Sequence, residues 1–168
     1  MNRKFQPDSY ERNDARAKKA LAEHLEIEGY VILESRENYS FDLEVTRYHT
    51  YQNPPTRTVS FPELYEVEIK NQWGKEWPSV WKEIRIPKRK FKLIERWKKN
   101  YLHTPFTFVV LNTTTEQRWF IPAEVVESSQ VGKIQNLKIP DAPQGKEDFF
   151  HIPVEKAQLK LLKKGVDR

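Results

Sequence analysis

Apolar and polar residues alternate with a period of two across "YSFDLEVTRYHTY" and "ELYEVEIKNQW". In the first stretch Phe41, Leu43 and Val45 share one face, and Asp42, Glu44 and Thr46 share the other. In the second, Tyr65, Val67 and Ile69 alternate with Glu66, Glu68 and Lys70. The pattern predicts two strands, 39–48 and 63–73, joined through "QNPPTRTVS", whose prolines read as a loop spanning 48–62. Upstream, Ala17, Leu21 and Leu25, with Ala20 and Ile27 at the margins, follow the helical period over residues 8–28. Asp8 and Glu11 have the spacing of a capping box there, and Gly29 is a natural stop. "YVILES" (30–35) is a short apolar strand.

Downstream, "IRIP" is a brief strand, and Phe91, Ile94, Trp97 and Tyr101 mark an amphipathic helix over 88–100 beginning after Pro87. "FTFVVLN" (106–112) reads as a buried strand, paired through the turn "TTTEQ" with "RWFIP". "PAEVVESS" is a short helix with Pro122 in its first turn, and "PVEKAQLKLLKK" reads as a closing helix. Between them, residues 131–153 are strand-like and broken by turns. The order predicts an α/β or α+β fold: a single domain over 1–168 with one central mixed sheet flanked by helices. Its core spans about 8–112, and a strand and helix extension spans about 113–168.

The chain has 168 residues, enough for one domain with a real core, and nine Phe, seven Tyr and five Trp to fill it. Mean hydropathy is −0.81, and no apolar run approaches the ~18 residues of a membrane span. The start "MNRKFQPDSYERND" lacks an apolar segment of the secretory kind, so the expectation is a cytoplasmic protein. Absence of cysteine excludes disulfides, thiolate zinc sites and a cysteine nucleophile. Net charge is +5, but residues 82–99 hold nine Lys or Arg against Glu83 and Glu95, a local +7 over a remainder of −2. Such a segment suits an anionic partner, and it equally suits a solvated helix face.

A hairpin register centred on residue 55 sets Asp42 opposite Glu68, Glu44 opposite Glu66 and Ser40 opposite Lys70, all on one polar face. Directly opposed side chains have Cβ atoms about 4.5–5.5 Å apart, so the carboxylates repel unless something positive lies between them. One reading is a bound Mg²⁺, or Mn²⁺ in its place, with Lys70 beside it. The other is an exposed face of salt bridges worth a fraction of a kcal/mol each.

Asp42 followed by Glu68-Ile69-Lys70, after a helix and a strand and before a helix, resembles the D…(D/E)-x-K signature of the PD-(D/E)XK nuclease superfamily. "HLEIEGYVILES" is similar to its helix-end, Gly, aromatic, strand passage, and residues 8–112 to its αβββαβ core. The "YSFDLEV…YEVEIKNQW…IRIPKRK" series resembles small phage and bacterial members. The resemblance implies a restriction-endonuclease-like fold in which Asp42, Glu68 and the Ile69 carbonyl ligate Mg²⁺ and Lys70 is the catalytic lysine. It also implies an acid from the first helix: Asp14 is preferred, Glu11 being engaged by the capping box. Phe41 stands where the family name has proline, the interval from Asp42 to Glu68 is long, and Glu66 is an alternative ligand.

"WGKEWPSVWKEIRIPKRK" interleaves aromatic rings with cations, the composition of a nucleic-acid surface. Trp73, Lys75, Trp77, Arg85, Lys88, Arg89 and Lys90 are the candidate contacts, the last three at a helix start that also favours phosphate. Trp81 and Trp97 read as core. The four histidines show no metal spacing, and there is no phosphate-binding glycine motif or nucleophile elbow. The expected function is a metal-dependent nuclease acting on DNA. The alternative is a catalytically inactive nucleic-acid-binding protein on the same scaffold. A homodimer is compatible with either, without an interface signature in the sequence.

Overall fold

The stripe of Ala17, Leu21 and Leu25 becomes the buried face of α1 (Pro7–Ile27) in the computed structural model, which describes residues 7–35, 41–50, 58–70, 82–112, 117–133 and 148–161. Proline opens the helix, having no N–H to leave unsatisfied and a φ already fixed for it. Asp8 therefore lies inside the first turn, not ahead of it as the capping-box spacing implies. Gly29 ends the run with φ +88, and its N–H donates to the Glu26 carbonyl at 3.0 Å.

The strands that follow are β1 (Tyr30–Ser35), β2 (Leu43–Thr50), β3 (Thr58–Lys70) and β4 (Glu83–Pro87). A 3-10 turn, Lys88–Lys90, then leads into α2 (Phe91–Asn100), so the helix is one turn shorter than its pattern suggests. Beyond it come β5 (Phe106–Asn112), β6 (Gln117–Pro122), α3 (Ala123–Glu127), β7 (Gln130–Lys133), β8 (Asp148–Pro153) and β9 (Gln158–Leu161). The main sheet has six strands in the order β1-β2-β3-β5-β6-β9, antiparallel throughout except for the parallel β3–β5 pair. A second sheet has the order β4-β8-β7. The fold is α+β, built as a single domain around a mixed sheet.

Three expectations need correction. The closing helix is a 3-10 turn, Val154–Lys156, followed by β9, which pairs with β6 from Gln117↔Leu161 to Phe120↔Gln158. Gln158-Leu159-Lys160-Leu161 alternates with a period of two, and the ladder with β6 settles it as a strand. Thr58–Ser60, expected in the loop, belongs to β3, opposite Tyr48–Thr50. The third correction concerns register. Leu43 faces Tyr65 and Glu44 faces Leu64, two residues away from the expected pairing. A shift of two keeps every side chain on its face while exchanging its partners.

Pro62 sits in a strand flanked on both sides farther along, which proline ordinarily disfavours. At that point, among the described residues, β3 has only β2 beside it, because pairing with β5 starts at Leu64↔Phe106. β3 is thus a hairpin arm over Thr58–Glu63 and a central strand over Leu64–Lys70.

Both faces of the main sheet are covered. On one, α1 packs over Leu43, Val45, Tyr65, Val67, Val109, Leu111 and Phe120. On the other, Leu64, Phe106, Phe108, Val110, Trp119 and Ile121 meet α2 through Ile94 and Trp97, α3 through Ala123 and Val126, and the small sheet through Ile84, Ile86, Phe150 and Ile152. Two-sided burial explains why β5 is apolar at nearly every position. Trp97 is core, as its spacing implies. Among the described residues, no helix is long and apolar enough to cross a membrane.

Candidate active site

β2 starts at Leu43 and β3 runs on to Lys70, so past Tyr65 the β3 backbone has no ladder partner on its β2 side among the described residues. Asp42 stands at that fork. Its Oδ2 accepts the Val67 N–H at 2.7 Å, and its own N–H donates to Glu66 Oε2 at 3.2 Å. Two side chains thereby satisfy backbone donors that the strand leaves behind. The partner of Asp42 is Glu66, where the register expected from the sequence places Glu68.

The acidic positions are not a wet sheet surface: Asp42, Glu66 and Glu68 are 8%, 5% and 7% exposed. Burying carboxylates is costly unless cations and hydrogen bonds accompany them. Two lysines do so, from opposite layers. From α1, Lys18 Nζ lies 2.8 Å from both Asp14 Oδ2 and Asp42 Oδ1. From the turn ahead of α2, Lys90 Nζ bonds Glu66 Oε1 and stands 3.6 Å from Glu68 Oε2. Burial works against the charge on each lysine, yet the adjacent carboxylates hold both ammonium groups above the ordinary lysine range. Burial lifts the Glu66 carboxyl to about 7; Lys90 pulls it down, and Asp42 adds to the rise.

Asp42, Glu68 and Asp14 belong to one cluster, with Asp14 reaching Asp42 through Lys18. Ile69 and Lys70 are the last residues of β3, aligned with Leu111 and Asn112 of β5. Lys90 does not join Lys88 and Arg89 on the outside but turns into the cluster. Lys88 is exposed, 3.8 Å from Asp148, and Arg89 is exposed. Arg85 is paired with Glu83 at 2.9 Å on β4. Trp73, Lys75, Trp77 and Trp81 lie outside the described residues, as does the Glu11 side chain.

Lys18 and the inward turn of Lys90 are absent from the expectations, although both leave signals in the sequence. Lys18 is one turn beyond Asp14 on the flank of the apolar stripe. Lys90 is four residues before Ile94 and seven before Trp97, the helical phase of the buried face.

The donor set suits a hard divalent ion in its chemistry: carboxylates are in excess, four against the two ammonium groups. In position, Lys18 and Lys90 hold the places between those carboxylates, and among the described residues no three His, Asp or Glu groups converge at ligand spacing. A cavity of about 390 Å³ lies elsewhere, lined by Lys82, Glu83, Ser128, His151 and Lys156. There His151 Nδ1 is 3.0 Å from Glu83 Oε1 and Nε2 is 3.3 Å from the Gly132 carbonyl, a tie between the strands of the small sheet. No family model matches the chain, and no curated protein is detectably similar to it.

Proposed function

We propose that this chain is a cytoplasmic, metal-dependent nuclease of the PD-(D/E)XK type that hydrolyses DNA phosphodiester bonds. The observation carrying the reading is the buried acid cluster at the fork where β3 outruns β2. Folding bears a large cost to keep three carboxylates there, even with two ammonium groups beside them. Support also comes from the succession α1, β1, β2, β3, α2, β5, with β4 added between β3 and α2. Glu68-Ile69-Lys70 ends β3, just past the Val67 N–H that Asp42 accepts, and its residue types match the signature.

Asp42 and Glu68, with the Ile69 carbonyl, would hold Mg²⁺ or Mn²⁺. When bound, the ion supplies an activated water and neutralises charge on a phosphate oxygen. Lys18 holds Asp42 and Lys90 holds Glu66 and Glu68, so both ammonium groups would move aside as an ion takes up those oxygens. Lys70 stabilises charge that develops on the phosphate oxygens.

A second reading is a nucleic-acid-binding protein without catalysis. It is favoured by one observation: both Asp42 oxygens and both Glu66 oxygens are already engaged by backbone N–H groups and ammonium groups. Incubation with supercoiled, linear, single-stranded and branched DNA, with Mg²⁺ or Mn²⁺ and then with EDTA, separates the two. Metal-dependent cleavage that Glu68→Ala and Lys70→Ala both abolish supports the nuclease. Salt-sensitive binding with no cleavage by wild type supports the second reading.

A further inference from the structure

We infer that the outer face of α2 is a phosphate-tracking surface for a nucleic-acid strand, with Lys92, Arg96 and Lys99 as its contacts. The inference rests on the nucleic-acid part of the reading above and not on catalysis.

At 3.6 residues per turn, Lys92, Arg96 and Lys99 fall within a sector about 60° wide, opposite Ile94 and Trp97. All three are exposed, and none has a carboxylate within ion-pair distance among the described residues. Lys98, on the flank, is by contrast paired with Glu127 at 2.6 Å. Successive cations of the stripe rise about 4.5–6 Å along the axis, and the whole stripe about 10 Å, comparable to three nucleotides of a duplex strand. The stripe continues backward through exposed Lys88 to the turn that sends Lys90 into the acid cluster. One short helix thus presents cations outward while the turn ahead of it delivers one inward.

The chemistry favours a polyphosphate over other anionic partners. A membrane-surface helix needs apolar side chains on the face it presents to lipid. The apolar residues of α2 instead pack into the core, Ile94 and Trp97 fully and Phe91 and Leu93 in part. The exposed Tyr101 and Leu102 lie beyond the last turn and not between the cations. An acidic protein partner would want an apolar anchor at the centre of the patch, and the stripe has none. A regular series of charges without apolar anchors suits a backbone bound through counterion release.

The test is fluorescence anisotropy with single-stranded and duplex oligonucleotides in EDTA, over a salt series. The triple variant Lys92→Gln, Arg96→Gln, Lys99→Gln is compared with wild type and with Lys19→Gln, Lys82→Gln, Lys156→Gln, which removes equal charge elsewhere. Glutamine keeps helix propensity, and thermal melts check the fold. The expected result is a loss of about tenfold or more in affinity and a salt slope shallower by about 2–3 on duplex for the α2 variant alone. Equal losses in both variants, or an unchanged slope in the α2 variant, overturn the surface while leaving nucleic-acid binding intact. Wild type that binds phosphatidylserine vesicles but no oligonucleotide at low salt overturns both. Binding that follows the expected pattern with no cleavage under any metal leaves the surface standing and removes only the catalytic reading.

Discussion

Asp42 and Glu66 lock the open end of the β2–β3 hairpin: Glu66 Oε2 accepts the Asp42 N–H at 3.2 Å while Asp42 Oδ2 accepts the Val67 N–H at 2.7 Å. Neither residue is in the ladder with the other, since pairing ends at Leu43↔Tyr65. The side chains extend it by one step. Each also brings a lysine with it, Lys18 to Asp42 and Lys90 to Glu66, so a backbone problem and a charge problem are met by the same four residues.

Lys90→Met removes the cation from two buried carboxylates. Leaving a buried charge without its partner costs about 3–5 kcal/mol. Urea unfolding in EDTA is expected to show a loss of that size, with wild-type secondary structure retained at low denaturant. A loss under about 1 kcal/mol, the scale of an exposed ion pair, would mean that Glu66 and Glu68 do not depend on Lys90.

Glu66 makes stability depend on pH in an unusual direction. Its carboxyl is raised from 4.5 to about 7, chiefly by burial. Below the lower value it is protonated in folded and unfolded chains alike, and its contribution is fully present. Between the two values only the folded chain keeps the proton, so stability falls as pH rises toward 7. Glu66→Gln should flatten that decline, a difference on the order of 1–3 kcal/mol in EDTA between about pH 4.5 and 7.5. Parallel stability curves for wild type and variant would contradict the assignment.

Gly29→Ala should cost about 1 kcal/mol through the backbone alone. Gly29 has φ +88, and a methyl group placed on its Cα would meet nothing within 4 Å, so no clash contributes. Gly29→Asn should cost less, because asparagine tolerates the left-handed region. Melting temperatures of the two variants give the comparison.

If the cluster cleaves DNA, Glu68→Gln and Lys70→Ala should each lower the cleavage rate about 10²-fold or more while oligonucleotide affinity in EDTA changes little. Single-turnover assays report the first quantity and anisotropy the second. Cleavage by Glu68→Gln at the wild-type rate would remove Glu68 from the chemistry.

Much of this architecture is legible in the chain. "YVILES" and "FTFVVLN" match their strands to the residue, because each is a compact apolar run that opens just after a turn. The faces of β2 from Leu43 onward and of β3 are legible because alternation fixes them. Phe41, expected beside Leu43 and Val45, instead precedes the strand and packs on the opposite face with Leu64 and Phe106. The register is not legible, since a two-residue slide leaves the alternation unchanged. Burial of Glu66 and Glu68 is illegible in the strand itself: the cation that meets them, Lys90, comes from the turn ahead of α2. β9 is ambiguous because a lysine-rich amphipathic segment of that length fits two periods, and its pairing with β6 decides between them. Of the candidate site, Asp14 and Asp42 share Lys18, and Glu68 is linked to Asp42 only through Lys90 and Glu66, so the acids form a chain of ion pairs and not the convergent set that the residue types suggest. Lys90 looks like part of the outer basic patch on charge alone, and only its helical phase says otherwise.

Because Lys18 arrives from one layer and Lys90 from the other, the acid cluster acts as a rivet through the sheet. Delaminating α1 strips Asp42 of its counterion, and lifting the opposite layer does the same to Glu66 and Glu68. Either partial opening leaves uncompensated charge in a half-dry seam, so the two layers should come away together, as one cooperative event, in native-state hydrogen exchange.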